Sequence, residues 1–246
     1  MIKTKDKLER IAKTIASTGY CSRRAAEKLI SMGKVKVNEK QVLTPAYFVN
    51  KKDKITIEGL LIKNKKKIEL YIFHKPKGVI VSKKDPQKRK TIYNFLPKDL
   101  QQLHYVGRLD YNTEGLLLLT NNGKLKRYLE LPINRIERIY KVKVHGNLER
   151  LEKNHLITDI TINNIKYGPI YIDILEKKEK ISWINIKLFE GKNREIRKIM
   201  EYYGLFINDL IRIKFGPFYL NNLDRGKLIK IEEKQLKGFL KNIGEF

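Results

Sequence analysis

The sequence predicts an α+β chain: a small α/β module followed by a larger domain built on a mixed, largely antiparallel sheet with flanking helices. Three observations predict it. The second part carries many short apolar runs with the two-residue period of strands, separated by turn residues and by a few stretches of helical period. The 246 residues suffice for a large and a small domain. Charge is uneven along the chain. Residues 1–67 hold 18 Lys+Arg and 6 Asp+Glu, a net of +12, whereas the other 179 residues carry 35 − 21 = +14. The expected division is therefore 1–67 and 68–246, with the basic stretch Lys63 to Lys67 as a solvated linker.

In the first part, Leu8, Ile11, Ala12 and Ile15 recur at helical spacing, and Gly19 stops the helix. Ser22 is placed to cap a second helix with Ala25, Ala26, Leu29 and Ile30 on one face and Gly33 closing it. Val35 and Val37 alternate with Lys34 and Lys36, which reads as a half-buried strand with a basic outer face; Asn38 begins a turn, and short strands continue to Ile57. Arg23, Arg24, Lys28, Lys34 and Lys36 then form a group suited to phosphate contact; the alternative is that they are solvated charges on a small domain.

The second part opens with a strand, Leu70 to Phe73, then KPKG, then a strand at Val79 to Val81. Thr91 caps a short helix ending at Pro97. Strands at Tyr105 to Arg108 and Gly115 to Thr120 flank a turn containing Asp110, and Asn122–Gly123 leads into a helix, Lys124 to Leu129. Strands follow at Tyr140 to Val144, Ile170 to Leu175 and Trp183 to Phe189, with a short helix at Leu148 to Lys153. A helix at Arg194 to Tyr203, a strand at Leu210 to Phe215 and a helix from Glu232 to Leu240 complete the pattern. There is no internal repeat and no dinucleotide or P-loop glycine pattern.

A net charge of +26 implies a polyanionic partner without choosing among RNA, DNA and an acidic membrane surface. The longest apolar run falls far short of the ~18 residues of a membrane span. Asp6 and Glu9 near the start, with no apolar segment, argue against secretion. A single cysteine, Cys21, excludes an internal disulfide and a multi-cysteine zinc site. The expected location is the cytoplasm, and the expected state a monomer. Lysines number 40 against 13 arginines, so arginines rank as candidates for bidentate or stacking roles; seven of them fall at Arg23–Arg24, Arg108, Arg135–Arg138 and Arg194–Arg197.

The densest chemistry lies in GRLDYNTEGLLLLTNNG, residues 107–123. Asp110 sits between Arg108 and Thr113 at a strand end, where an ionised carboxylate can be presented as a nucleophile; the alternative is an aspartate completing a turn. In EGKNREIRKIM, Arg194, Arg197 and Lys198 lie on the first turns of a helix, and a cation near Asp110 would hold its carboxylate ionised. Otherwise Arg194 and Arg197 are an exposed pair. Tyr140 shares a strand face with Val142 and Val144, as a core ring or as a platform for a flipped base. Glu114, four residues from Asp110, raises a two-carboxylate glycosidase, which the basic surface does not support. The four histidines lack metal-ligand spacing, and His74 beside KPKG reads as structural.

ERIAKTIASTGYCSRRAAEKLISMGKVKVN resembles the small RNA-binding domain shared by a small-subunit ribosomal protein and bacterial tyrosyl-tRNA synthetases. KPKGVIVS, GRLDYNTEGLLLLTNNG, ERIYKVKVHG, EGKNREIRKIMEYYG and LIRIKFGPFYLNNLDRGKLIKI resemble the pseudouridine synthases, in the branch that modifies ribosomal RNA and bears this N-terminal domain. The resemblance implies isomerisation of uridine to pseudouridine in ribosomal RNA, with no cofactor and no metal. By it, Asp110 is the catalytic aspartate, Arg197 its partner and Tyr140 the residue stacking on the target base. Arg108, Thr113, Arg194, Lys198 and Lys75 of KPKG join the basic group of the first part as expected RNA contacts. KNREIR is similar to the large-subunit enzymes, although Glu195 replaces the glutamine common before the I-R pair. The alternatives are a small-subunit enzyme, or a non-catalytic ribosome-assembly factor with the same fold.

Overall fold

A computed structural model describes residues 8–62, 67–153 and 155–244. Most of the expected basic linker, 63–66, and Asp6 lie outside the described residues. The chain divides into two compact units, Met1–Ile68 and Glu69–Phe246.

The first unit contains β1 (Glu9–Arg10), α1 (Ile11–Ser17), α2 (Arg23–Ser31), β2 (Val35–Val37), β3 (Lys40–Val42), β4 (Phe48–Val49), β5 (Ile55–Ile57) and β6 (Leu60–Leu61). β2, β3, β5 and β6 form an antiparallel sheet in the order β3-β2-β5-β6. Its core joins Ile11 and Ile15 of α1 to Ala26 and Ile30 of α2 and to Val35, Val37 and Ile57. Ser22 caps α2, its Oγ accepting from the Ala25 amide at 3.2 Å. Leu8 departs from expectation: it precedes the helix and is exposed, because the chain is extended in β1, paired with β4, up to Arg10.

The second unit contains β7 (Leu70–Lys75), β8 (His104–Val106), β9 (Glu114–Thr120), α3 (Gly123–Glu130), β10 (Arg138–His145), α4 (Glu149–Glu152), β11 (Leu156–Ile157), β12 (Ile160–Ile162), β13 (Ile165–Tyr167), β14 (Ile170–Glu176), β15 (Ile181–Leu188), α5 (Glu195–Tyr202), β16 (Phe206–Phe215), β17 (Phe218–Tyr219), β18 (Leu228–Lys230) and α6 (Glu233–Asn242). Among the described residues, one sheet runs β11-β14-β15-β10-β16-β9-β7-β18, with β8 beside β9 and β17 beside β16. All these pairings are antiparallel except β16 with β9.

β9 is buried along its whole length, which explains its run of leucines: a central strand covered on both faces has no polar side to show. Each fully buried leucine there contributes about 1.5–3 kcal/mol. β10 alternates instead, with Arg138, Tyr140, Val142 and Val144 inward and Lys141 and His145 exposed. The expected strand at Val79 to Val81 is not one. Only Ile80 forms a bridge, to Thr91, because Gly78, at φ +74°, turns the chain away after Pro76. Val79 and Val81 still reach the core from this loop.

Candidate active site

Asp110 lies in the turn that carries the chain from β8 to β9, closed by the Thr113 amide donating to the Asp110 carbonyl at 3.0 Å. The next three carbonyls are all held. That of Tyr111 accepts from the Gly78 amide at 2.9 Å and from Lys75 Nζ at 3.4 Å, that of Asn112 from Arg197 Nη2 at 3.0 Å, and that of Thr113 from Lys75 Nζ at 2.8 Å. The turn is thus clamped by its backbone while the Asp110 side chain stays exposed.

Lys75 corrects an expectation. It is 0% exposed, and its ammonium also donates to the Pro76 carbonyl at 2.9 Å, so it supports the turn and cannot touch RNA. Burial pulls its pKa down to about 8, against the opposing pull of the Asp110 and Glu114 carboxylates.

A cavity of about 730 Å³ opens beside this turn, lined among others by Arg108, Asp110, Thr113, Arg138, Tyr140, Arg194, Glu195, Arg197, Leu210 and Arg212. Five strands and loops distant in sequence converge there. Tyr140, 8% exposed, comes from the inward face of β10, and Arg212, 2% exposed, from β16 beside it. Arg212 donates through Nε to the Leu116 carbonyl at 2.7 Å and through Nη1 to the Tyr140 hydroxyl at 3.5 Å. Arg138 donates to the Glu190 carbonyl at 2.8 Å. Both guanidiniums pack on the Phe215 ring, 4.9 and 5.0 Å from its centroid.

Arg197, in the first turn of α5, reaches back to the Asp110 turn. Burial and Arg194 lower its pKa, and the Asp110 charge raises it, so carboxylate and guanidinium lie within electrostatic range. Among the described residues they form no direct ion pair; the guanidinium is held by the Asn112 carbonyl instead. Glu195, 3% exposed, accepts from the Lys192 amide at 3.0 Å. Its pKa is pushed up to about 8 by burial and by the neighbouring Glu190 carboxyl.

Among the described residues, five buried side-chain polar atoms lack a partner, and four of them belong to residues lining this cavity: Thr113 Oγ1, Glu195 Oε1, Arg197 Nε and Arg212 Nη2. Buried polar atoms are normally satisfied. A cavity lined by so many that are not, with several cations and one exposed carboxylate, suits a polar, anionic ligand that carries a flat ring for Tyr140.

The structure therefore brings together Asp110, Arg108, Thr113, Tyr140, Arg194 and Arg197. Lys198 stands apart, half-buried with its ammonium toward the Tyr167 hydroxyl at 3.4 Å. In the first unit Arg23, Arg24, Lys28 and Lys36 are exposed, whereas Lys34 is half-buried and paired with Glu58 at 2.5 Å. Glu114 is buried against His74 and Arg225, at 3.2 and 2.8 Å, and does not line this cavity. Arg212 was not among the expected site residues, although its place two residues after Leu210 on an alternating strand already put a guanidinium on an inward face.

A family model described as RNA pseudouridylate synthase matches residues 69–202, and one described as S4 domain matches residues 9–55. An RNA pseudouridine synthase of Rickettsia felis, itself uncharacterized, is 45% identical over 230 residues, covering 94% of this chain and 100% of the relative. The ribosomal large subunit pseudouridine synthase B of Bacillus subtilis is 34% identical over 232 residues, 94% of this chain and 95% of its own length. A crystal structure of a pseudouridylate synthase aligns with a TM-score of 0.66 at 25% identity, covering 93% of this chain and 98% of that one.

Proposed function

The chain belongs to the RNA pseudouridine synthase family, and from that premise we propose that it isomerises a uridine of large-subunit ribosomal RNA, with Asp110 as the catalytic carboxylate. The observation that carries the reading is the clamped turn, which offers one exposed carboxylate to a cavity otherwise rich in cations. Asp110 acts as nucleophile at the ribose anomeric carbon, or as a base that takes the neighbouring C2′ proton and returns it when the new bond forms. The bond from the anomeric carbon to N1 breaks, the uracil rotates, and a bond to C5 forms. N1 ends protonated and C5 loses its proton, so the formula is unchanged and no redox partner is required. Tyr140 stacks on the extruded base, and Arg197 and Arg212 form the cavity wall beside it, Arg197 holding the Asp110 turn through the Asn112 carbonyl. Arg108 and Arg194, exposed at the rim, contact the flanking backbone. Extruding a base from a duplex costs a few kcal/mol, which favours a loop or strained hairpin as target. The large-subunit assignment rests on the relatives named for that activity and on the KNREIR stretch. The enzyme works as a monomer in the cytoplasm, with the first unit supplying salt-dependent affinity.

Pseudouridine mapping on ribosomal RNA from cells with and without the gene tests this. One large-subunit site should vanish on deletion and return with the wild-type protein but not with Asp110→Asn. An unchanged map, with an assembly defect that Asp110→Asn repairs, would replace catalysis by a binding role.

A further inference from the structure

The catalytic sheet has a second face. Residues paired in register point to the same side of a sheet, and alternation puts Lys141 and Lys143 on the side away from Tyr140. There Trp183, Lys143 and Asp209 stand in one row across β15, β10 and β16. Asn185, Lys141, Ile211 and Glu114 stand in the next, and Lys187 and Tyr171 pair beyond them. A second cavity of about 510 Å³ adjoins the indole, with Pro76 and Ile211 as apolar walls and Lys77 and Arg225 at its sides.

Three features of this face go together. Its aromatic rings carry ammonium groups: Lys141 and Lys143 lie 4.9 and 5.7 Å from the Trp183 ring centroid, and Lys187 lies 4.4 Å from that of Tyr171, whose ring also meets Phe189 edge-on at 6.2 Å. None of these lysines forms an ion pair among the described residues, whereas Asp209, Glu176 and Glu114 on the same side are paired with Lys77, Lys178 and Arg225. Asp173, beside Asn185, is an exposed carboxylate of this face, so the cations outnumber the free acid three to one. The fifth buried polar atom without a partner, Asn185 Oδ1, lies in the row beside Lys141. Aromatic faces interleaved with unpaired cations on an open sheet are the chemistry by which single strands are held: bases stack, and the ammonium groups move to the phosphates.

We propose that this face is a second, non-catalytic RNA site, in which an unpaired nucleobase stacks on Trp183 while Lys141, Lys143 and Lys187 hold the flanking phosphates. The site binds single-stranded RNA next to the modified region and adds affinity without touching the reacting uridine. It rests on RNA being the ligand, and not on which uridine is modified.

Trp183 is the sole tryptophan, so its emission reads this face directly. The full chain is titrated with a single-stranded oligouridylate, with an abasic strand of equal length, and with anionic vesicles; binding is followed in parallel by anisotropy of a labelled strand. The expected result is quenching by the oligouridylate at the midpoint that anisotropy gives, and none by the abasic strand. The triple variant Lys141→Ala, Lys143→Ala, Lys187→Ala should lose affinity on the order of tenfold while pseudouridine formation on a saturating minimal hairpin stays unchanged, which also certifies its fold. Saturable binding with unaltered emission and an unaffected triple variant would overturn the site and leave the proposed function intact. Equal quenching by abasic strands or vesicles would replace it by plain polyanion attraction. No binding even at low salt would overturn both this site and the RNA reading.

Discussion

The two units use positive charge in opposite ways. In the first, Arg23, Arg24, Lys28 and Lys36 stand in solvent on α2 and β2, Arg23 beside Glu27 at 3.5 Å, where an ammonium or guanidinium costs nothing to hydrate. In the second, Lys75, Arg138 and Arg212 are buried, each donating to backbone carbonyls. A buried cation is held by the carbonyls its donors do reach, so it fixes the backbone it touches. The same residue types thus stand hydrated on the surface of the first unit and, in this buried set of the second, fix position. The exposed set acts at the range of a Debye length, about 8 Å in physiological salt, and the buried set at hydrogen-bond distance.

The largest effect should come from the group the buried set serves. Asp110→Asn should lower pseudouridine formation at least about a thousandfold with RNA affinity unchanged within about twofold; a turnover assay beside a binding titration checks it. Next comes a matched pair of lysines. Lys75→Met strips donors from the Pro76, Tyr111 and Thr113 carbonyls and should cost about 2 kcal/mol, or about 4–8 °C in Tm, with a loss of kcat as the turn loosens. Lys36→Met on the exposed strand should stay within about 0.5 kcal/mol by the same melting experiment. Equal effects at the two would erase the contrast.

Glu195→Gln gives a smaller, pH-dependent signature. Above pH 4.5 the unfolded Glu195 carboxyl ionises, while the folded one keeps its proton up to about pH 8, so its contribution to stability is fully present below pH 4.5 and drains away across that window. The Gln variant should therefore melt above the wild type at pH 8, with the gap closing toward pH 5. A parallel pair of melting curves would sink this. Smallest of all, Arg24→Ala or Lys36→Ala should each flatten the dependence of log affinity on log salt by about one unit, leaving kcat at saturating RNA unchanged.

The parts of the site visible in the sequence are those with local causes. The Asp110 turn is followed by a strand whose apolar run announces a buried centre, Tyr140 sits on a cleanly alternating strand, and α5 shows its helical period. Lys75 misleads because KPKG has the composition of a solvated loop, and what buries its ammonium lies up to 38 residues away. Arg212 goes unnoticed for the same reason, its carbonyl partner being 96 residues earlier. Val79 and Val81 are apolar enough for a strand, but the turn at Gly78 leaves them no neighbour to pair along. Periodicity tells which way a side chain faces; it does not tell what it meets there.

β16 and β9 join through only two parallel pairs, Ile211 with Glu114 and Arg212 with Gly115. The approach is so close that a Cβ at Gly115, where φ is +111°, would fall 2.6 Å from the Arg212 backbone nitrogen. About a hundred residues of synthesis separate the two sides of this seam, some 5–20 seconds at ordinary elongation rates. During that time residues 107–113 and Lys75 are already synthesised, while Arg197, which holds the Asn112 carbonyl, and the strand that walls the cavity are not. The growing chain therefore carries the Asp110 carboxylate for some time before the strand that walls its cavity exists.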